Sequence, residues 1–191
     1  MLTKLFNIAK TEHVVFGQKD AVQCIVVKQL IRDFNFDTNV IISDIVREED
    51  CLAMSSRNQY LSREDRSIFG GLMCGMLNKT KSLFETQAVS PQTPFSSDQA
   101  KLLVDFCFDN LKSEFEKLLK NKKDSFDPKN YKVEYVSLCD WEFGSVFGTK
   151  WEQGYNEGIK AKEIEGKEMV MSLVVRVGGT RLLDNVVLKR S

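Results

Sequence analysis

The chain has one histidine and no excess of either charge, and each shortage argues against a class of protein. The 27 Lys and Arg residues balance the 27 Asp and Glu residues, which argues against a nucleic-acid binder held by phosphate contacts. No apolar run reaches the length of a membrane span, and the first ten residues contain no signal-peptide core. The 191 residues and their 42% hydrophobic content predict an ordinary globular protein of one domain or two small ones.

The five cysteines are widely spaced and form no Cys-x-x-Cys pair. An odd number at such spacing favours reduced thiols in a cytoplasmic protein over a disulfide framework. A zinc site lacks ligands, because His13 is the only histidine and the cysteines lack ligand spacing. Catalysis of the Ser-His-Asp or Cys-His type would depend on His13, for which we expect a structural role in a strand. We therefore predict no metal site built from protein side chains.

The richest chemical pattern lies in residues 46–62 and is centred on Met54-Ser55-Ser56-Arg57. Two adjacent hydroxyls can donate hydrogen bonds to phosphate oxygens, and a guanidinium can bind two such oxygens at once. The tripeptide Ser-Ser-Arg also occurs in ordinary turns, so the segment alone is consistent with either a phosphate site or a simple turn. Ser62 and Asp65 then predict a helix start with a capping box.

The first fifty residues predict a strand, a helix and a second strand. An apolar run at 13–16 predicts a buried strand, and a second run at 40–42 predicts another short strand. Residues 1–10 suit the end of an amphipathic helix. Between the strands, Asp20 is expected to cap a helix that fades near 33–35. Such a unit is a right-handed crossover of a parallel sheet, whose ligands bind beyond the carboxyl ends of the strands. The turn 17–20 and the loop 46–57 are therefore expected on one edge. The helix face expected to be buried consists of Val22, Ile25, Val26 and Leu30.

The remainder of the chain predicts helices followed by a small antiparallel sheet. Apolar periodicity predicts helices over 62–87 and 98–120, separated by a linker at 88–97. Gly70-Gly71 is expected to weaken the first helix or to admit another backbone closely.

Alternation of apolar and polar residues predicts strands at 131–138, 169–177 and 181–188. A hairpin at Gly178-Gly179 is expected to join the last two strands. Residues 141–166 have no clear period, so we expect a surface insertion with Trp141 and Trp151 as packing anchors.

Three segments, taken together, carry a family resemblance. They are Phe16-Gly-Gln-Lys-Asp20 with Gln23, the run 46–62 that includes Leu52-Ala-Met-Ser-Ser-Arg-Asn58, and Gly179-Thr-Arg-Leu-Leu-Asp-Asn185. In order and spacing they resemble the pantothenate synthetase family, the pantoate–β-alanine ligases. The resemblance implies an α/β fold. Residues 1–50 would complete a Rossmann-like nucleotidyltransferase domain, and 51–191 would form a smaller α+β C-terminal lid domain with a short antiparallel sheet.

The resemblance implies an ATP-dependent ligase of pantothenate and coenzyme A biosynthesis. In the family, pantoate attacks the α-phosphate of ATP, giving a bound pantoyl adenylate and pyrophosphate. The amine of β-alanine then attacks the acyl carbon and releases pantothenate and AMP. The implied ligands are ATP with Mg²⁺, pantoate and β-alanine, and the implied full-length form is a homodimer. The first step depends on positioning and on positive charge around the phosphates.

The family's site residues fall on two segments of this sequence. Lys19 and Arg57 match its cationic catalytic groups at the phosphates, and Gln23 matches its pantoate-binding glutamine. The backbone of Val46 matches its adenine contact. The other implied ATP contacts are Gly17, Gln18 and Asp20 in the first segment and Met54, Ser55 and Ser56 in the family's mobile loop.

Simpler roles remain open for several of these residues. Asp20 and Gln23 could form a capping box, and Lys19 could be a solvated turn residue. Charge pairing of Arg47 with its acidic neighbours 48–50 would be local and worth little on a surface. Arg181 and Asp184 are interpreted as structural pairing in the last hairpin and are not assigned to the site.

Two departures from the family pattern limit what the resemblance implies. Cys51 replaces a glycine expected after Asp50, and it would cost about 1 kcal/mol if that position requires a positive φ. The family's His-x-Gly-His segment, which holds the ATP phosphates, has no match, since His13 fits no part of it. The isolated chain is therefore expected to have little or no ligase activity. The alternatives are a non-catalytic remnant and an interaction module that pairs with a separate chain.

Overall fold

A computed structural model describes residues 1–87, 95–120, 127, 129–158 and 168–189. Most of the predicted linker at 88–97 lies outside these residues. Among the described helices, none combines the length and the apolar character needed to cross a membrane. The elements are α1 (Leu2–Ala9), β1 (His13–Gly17), α2 (Ala21–Asp33), β2 (Asn39–Ser43), a 3₁₀ helix (Ser56–Tyr60), α3 (Arg63–Phe69), α4 (Leu72–Gln87), α5 (Ser97–Lys120), β3 (Lys132–Asp140), β4 (Val146–Trp151), β5 (Gly154–Glu157), β6 (Glu168–Val177) and β7 (Thr180–Lys189).

Strands β1 and β2 form a two-stranded parallel sheet, joined by α2 as the sequence predicts. The register runs from His13 opposite Asn39 to Gly17 opposite Ser43, so both strands end at the same edge. Burial alternates along each strand, so the predicted burial of the first strand is wrong for one of its faces. Phe16 and Ile42 pack on a small core, whereas Val15 and Ile41 remain 65% and 48% exposed on the other face. One face of this sheet is therefore apolar and open.

The predicted face of α2 is only partly buried: Ile25 is buried as predicted and Leu30 is half-buried. Val22 and Val26 are 64% and 51% exposed, while Cys24 and Val27 are fully buried. The helix packs through Ala21, Cys24 and Ile25 against a cluster that includes Trp141 of the second sheet. Because valines recur at helical spacing on both sides of α2, the sequence does not distinguish the face that is covered from the face that is open.

Five antiparallel strands form the second sheet in the order β5-β4-β3-β6-β7, which confirms the predicted antiparallel sheet. The predicted insertion at 141–166 is wrong in its described part, because β4 and β5 extend the sheet there. Gly148 interrupts the alternation of apolar and polar residues along β4. In the structure, the Tyr155 hydroxyl fills the space where a side chain at residue 148 would stand. Trp141 is buried as predicted, but Trp151 is 36% exposed.

Helices α4 and α5 cover one face of this sheet and share one large core with it. The predicted single helix over 62–87 is instead two helices, which divide at Gly70-Gly71. The Asp50 carboxylate approaches this break so closely that a Cβ on Gly70 would lie 3.0 Å from it. The predicted close approach of another segment is therefore correct, and the approaching residue belongs to the loop after β2.

The hairpin between β6 and β7 turns through Gly178 and Gly179, at φ values of 55° and 83°. Two consecutive positive φ values are typical of the two-residue turn that matches strand twist, and glycine adopts them without strain. This confirms the predicted hairpin.

A disulfide joins Cys51 to Cys74, so the expectation of five reduced thiols is wrong for this pair. Cys24, Cys107 and Cys139 are free and buried. The pairing depends on how the loop after β2 packs against α4, and spacing along the chain contains no sign of it. Burial raises the pKa of the Cys107 thiol to about 12 and that of the Cys139 thiol to about 12. Neither thiol is therefore available as a nucleophile at neutral pH.

Reduction of the Cys51–Cys74 disulfide is expected to lower the free energy of unfolding by about 3 kcal/mol, the chain-entropy value for a loop of this size. The bond closes a separation of 23 residues. Urea unfolding with and without dithiothreitol measures the loss. The double variant C51A/C74A is the control and should unfold identically in both buffers. Equal urea midpoints for the wild-type chain in both buffers would contradict the prediction.

Candidate functional site

The turn that follows β1 presents Gly17, Gln18, Lys19 and Asp20 at the carboxyl edge of the parallel sheet. A Cβ on Gly17 would meet only the Ser43 hydroxyl, at 3.9 Å, so the backbone there is open to a ligand. Asp20 occupies the N-cap position of α2, but its side chain makes no capping hydrogen bond. Without that bond the capping box of Asp20 with Gln23 is not formed, and both side chains are exposed.

The loop that follows β2 closes on itself between Val46 and Met54. The Met54 N–H donates to the Val46 carbonyl at 2.9 Å, and an isolated antiparallel bridge joins Arg47 to Ala53. At the tip of this loop Cys51 has a φ of 70°. The position does have the positive φ that a glycine would adopt without strain, so this side chain stands in a strained conformation.

Residues 54–57 lie on the surface immediately after this closed loop. The Ser55 hydroxyl accepts a hydrogen bond from the Arg57 backbone N–H at 3.2 Å and caps the short 3₁₀ helix. The side chains of Met54, Ser56 and Arg57 are exposed. Arg57 is therefore placed where its guanidinium can reach a ligand.

Asn58 is a buried polar residue of this segment to which the sequence reasoning gave no role. Its side-chain amide donates to the Ala53 carbonyl at 3.1 Å and to the Glu48 carboxylate. It thereby joins the base of the 3₁₀ helix to the closed loop. A single asparagine in a polar stretch carries no sign of burial, so sequence alone did not reveal it.

The acidic residues of the loop bind a distant arginine, and the expected local pairing with Arg47 is wrong. Arg66 of α3 donates to the Asp50 carboxylate at 2.7 Å and also to Glu48. Hydrogen bonds from Arg66 and Asn58 hold the pKa of Glu48 below its ordinary value. Burial raises the pKa of Asp50, but hydrogen bonds from Arg66 and the Leu52 N–H outweigh it and bring that pKa below its ordinary value.

This charge cluster predicts that the loop loses stability in acid. Because the pKa values of Glu48 and Asp50 are lowered on folding, their contribution is present above the unfolded values of 4.5 and 3.8 and disappears as pH falls through the folded ones. Urea midpoints of wild type and R66Q between pH 6 and pH 3 measure it, with a shallower acid slope expected for R66Q. The variant R63Q, on the same helix, should retain the wild-type slope. Equal slopes for R66Q and wild type would exclude the mechanism.

Strand β7 connects the turn to the loop. The side-chain amide of Asn185 donates to the carbonyls of Gln18 and Lys19 at 3.0 and 2.9 Å. The Asp184 carboxylate binds the Arg47 guanidinium through two hydrogen bonds of 2.7 and 3.0 Å. Asp184 therefore pairs with the loop, and the expected pairing within the hairpin is wrong. The signal in the sequence was two polar residues between the apolar pairs 182–183 and 186–187 of this strand.

Arg181, the other charged residue of the third motif, pairs within the second sheet. Its guanidinium donates to the Glu134 carboxylate of β3 at 2.7 Å. Its role is therefore structural, and its partner lies across the sheet from the hairpin.

A cavity of about 140 Å³ opens between the turn and the second sheet. Lys19, Asp20 and Gln23 line one side of it, and Tyr135, Ser172 and Asp184 line the other. The structure thus brings Lys19 and Gln23 to one concave surface. Among the described residues, no group of three His, Cys, Asp or Glu side chains is arranged to hold a metal ion.

A sequence model of the family described as pantoate-beta-alanine ligase matches residues 1–187. The chain belongs to this family. The pantothenate synthetase of Acetivibrio thermocellus is 32% identical over 189 residues, which cover 99% of this chain and 53% of the relative. The pantothenate synthetase of Pseudothermotoga lettingae is 33% identical over 188 residues, which cover 98% of this chain and 53% of the relative. The chain spans about half the length of these pantothenate synthetases.

Solved structures of the family share the fold. The pantothenate synthetase of Thermus thermophilus superposes with a TM-score of 0.63 at 22% identity, over 97% of this chain and 52% of that one. The pantoate-beta-alanine ligase of Francisella tularensis, solved with beta-gamma ATP and beta-alanine, superposes with a TM-score of 0.50 at 22% identity. The superposition covers 97% of this chain and 47% of that one. The α/β fold expected from the pantoate–β-alanine ligase resemblance is therefore confirmed.

Proposed function

We propose that this polypeptide is the part of a pantoate–β-alanine ligase that supplies half of its nucleotide site. One observation carries the proposal: the turn at Gln18 and Lys19 and the loop at Arg47, far apart along the chain and both beyond the carboxyl ends of the parallel strands, bind the adjacent residues Asn185 and Asp184. A parallel sheet binds its ligands beyond those strand ends. Membership of the family supplies the reaction class.

The reaction we propose has two steps. The carboxylate of pantoate attacks the α-phosphorus of ATP, and pyrophosphate leaves. The amine of β-alanine then attacks the acyl carbon of the adenylate, and AMP leaves with one oxygen that was originally in pantoate. Both steps place negative charge on phosphate oxygens, so fixed cations near those oxygens lower the barrier.

A position in the site supports each proposed role. Lys19 lines the cavity beside the turn and would neutralise phosphate charge. Arg57 stands exposed beyond the closed loop, where it would bind two phosphate oxygens at once. Gln23 lines the same cavity as Lys19 and would orient pantoate.

The remaining proposed contacts surround these three residues. Asp20 has an exposed carboxylate that makes no capping bond and can accept from ribose hydroxyls. The open backbone at Gly17 and Gln18, the Val46 backbone and residues 54–56 would complete the adenosine and triphosphate contacts. Mg²⁺ would bind through the phosphates of ATP, as it commonly does in nucleotide sites, and the described residues supply no cluster to hold it without them.

The isotopic fate of the pantoate carboxylate tests this proposal. Pantoate labelled with ¹⁸O in its carboxylate is incubated with ATP, Mg²⁺, β-alanine and the chain, supplemented with the portion of the Acetivibrio thermocellus relative that the chain does not cover. We expect one ¹⁸O atom in each AMP formed, measured by mass spectrometry. AMP without label, or ADP in its place, would exclude an acyl adenylate.

The second candidate function is an interaction module that binds a polypeptide bearing the other half of the site. Open apolar side chains on the face of the parallel sheet that α2 does not cover favour it, namely Val15 and Ile41. Such a surface on a two-stranded parallel sheet is typical of a site for another structural layer. Val15→Lys tests it and should weaken binding to the supplementing polypeptide at least tenfold, whereas Lys4→Gln should not. Equal affinities by calorimetry would remove this candidate.

The division of the chain and its assembly are also proposals. We propose that residues 1–50 belong to the nucleotide-binding domain and 51–191 to the lid domain. The complete protein would be a cytoplasmic homodimer, as the family resemblance implies. The cytoplasmic assignment depends on the family resemblance alone, because the structure has three free thiols beside a Cys51–Cys74 disulfide of a kind that is rare in a reducing compartment. Sedimentation velocity of the complemented protein tests the dimer, and a single species of monomer mass would exclude it.

A further inference from the structure

Strand β7 lies at one end of its sheet, so one of its edges is not paired with a strand of that sheet. Asp184 and Asn185 are adjacent on it, opposite Leu173 and Ser172 of β6. The Asp184 side chain is only 1% exposed, and Asn185 as a whole residue is 2% exposed. A charged and a polar group at this depth are stable only when their hydrogen bonds are satisfied.

The hydrogen bonds of these two side chains go to the turn 17–20 and to the loop 46–57. Arg47, which binds the Asp184 carboxylate, also donates a hydrogen bond to the Cys51 carbonyl at 3.0 Å. This bond joins the base of the loop to its tip. The Asn185 oxygen accepts from the Gln18 side chain at 3.0 Å, while its amide donates to the two carbonyls of the turn. The Asp184 carboxylate also accepts the Asn185 N–H at 2.8 Å, which couples the two contacts.

The chemical identity of each side chain matters for its contact. A planar guanidinium matches a carboxylate in two parallel hydrogen bonds, and an amide in place of Asp184 would lose the charge that holds Arg47. Two carbonyl oxygens need two N–H donors, which Asn185 supplies and a carboxylate cannot. Conversion of Asn185 to Asp would place negative charge against both carbonyls.

We propose that Asp184 and Asn185 are positioning residues that hold the turn 17–20 and the loop 46–57 at a fixed separation, so that Lys19 and Arg57 act on one triphosphate. The proposal rests on the proposed function. Neither residue needs to touch ATP, since both act through backbone and Arg47. The consequence is that affinity for ATP depends on two side chains of the second sheet.

The test compares D184N and N185D with E134Q, which breaks the Arg181–Glu134 pair in the same sheet. In the supplemented enzyme, KM for ATP should rise at least tenfold in D184N and N185D and stay within twofold in E134Q, with KM for β-alanine unchanged in all three. E134Q should lower Tm as D184N does. This pattern separates positioning from general loss of stability. An equal rise of KM for ATP in E134Q and D184N would overturn the proposal.

Two further measurements keep the outcome decisive. Hydrogen exchange of the chain without ligand should accelerate at 17–20 in N185D and at 46–54 in D184N, and at neither segment in E134Q. If the wild type shows no ATP affinity, the proposed function fails, and the exchange pattern still decides the positioning role. Should D184N fail to fold, R47Q/D184N removes both charges, and it should fold yet keep the raised KM. Exchange unchanged in both variants would overturn the proposal.

Discussion

Purified chain supplied with pantoate, Mg²⁺-ATP and labelled pyrophosphate is expected to exchange label into ATP at no more than about a thousandth of the supplemented rate. Loss of one preorganised group at a reacting phosphate or oxyanion commonly costs 10²–10³ in rate. Here the family's His-x-Gly-His motif has no match in the sequence, since His13 is the only histidine and it lies at the start of β1. Lys19 and Arg57 alone would leave the phosphates half surrounded.

The informative comparison is recovery on addition of the uncovered portion of the Acetivibrio thermocellus relative. Recovery of pantoate-dependent exchange would show that the two portions complete one site. H13Q serves as the control and should recover equally, because a structural histidine contributes nothing to the chemistry. Exchange by the chain alone at the supplemented rate would refute the prediction and require another group at the phosphates.

In the supplemented enzyme, K19Q and R57Q are each expected to lower kcat/KM for adenylation by about 10²–10³. Each change removes one cation that we propose binds the triphosphate, and it retains a side chain of similar length. The turn should keep its shape in K19Q, because Asn185 binds the Lys19 carbonyl and not its amine. In R57Q the capping bond to Ser55 remains, since it comes from the backbone.

Matched variants separate this effect from a general change in surface charge. K4Q removes an exposed lysine of α1, and R63Q removes an exposed arginine six residues beyond Arg57. Both should retain wild-type kcat/KM in pantoate-dependent ATP–pyrophosphate exchange. The assignment of Lys19 and Arg57 would be wrong if all four variants lost activity to the same degree, or if none did.

The elements that the sequence predicted correctly are those governed by local rules. Ser62 caps α3 with its hydroxyl accepting from the Asp65 N–H, as its position before a helical period indicates. Gly178 and Gly179 form the expected hairpin. The order strand, helix, strand in the first fifty residues was enough to place the turn and the loop at one edge, because parallel strands end together.

The features that the sequence did not reveal depend on contacts between distant residues. Arg47 has three acidic neighbours in the chain, yet its partner is Asp184, which is 137 residues away. The disulfide needs the loop to pack at the break between α3 and α4. The buried face of α2 depends on where the second sheet lies, since valines occur on both sides. Local pattern cannot decide between such alternatives.

Because β7 is close to the end of the chain, the segments of the site are synthesised well before the residues that hold them together. During synthesis the turn 17–20 and the loop 46–57 leave the ribosome long before Asp184 and Asn185 are made. At translation rates of roughly 5–20 residues per second, the interval is on the order of ten seconds. Throughout it the Gln18 and Lys19 carbonyls lack their amide partner, and Arg47 lacks its carboxylate. A nascent chain therefore contains every nucleotide-contacting residue proposed here well before it can hold a nucleotide.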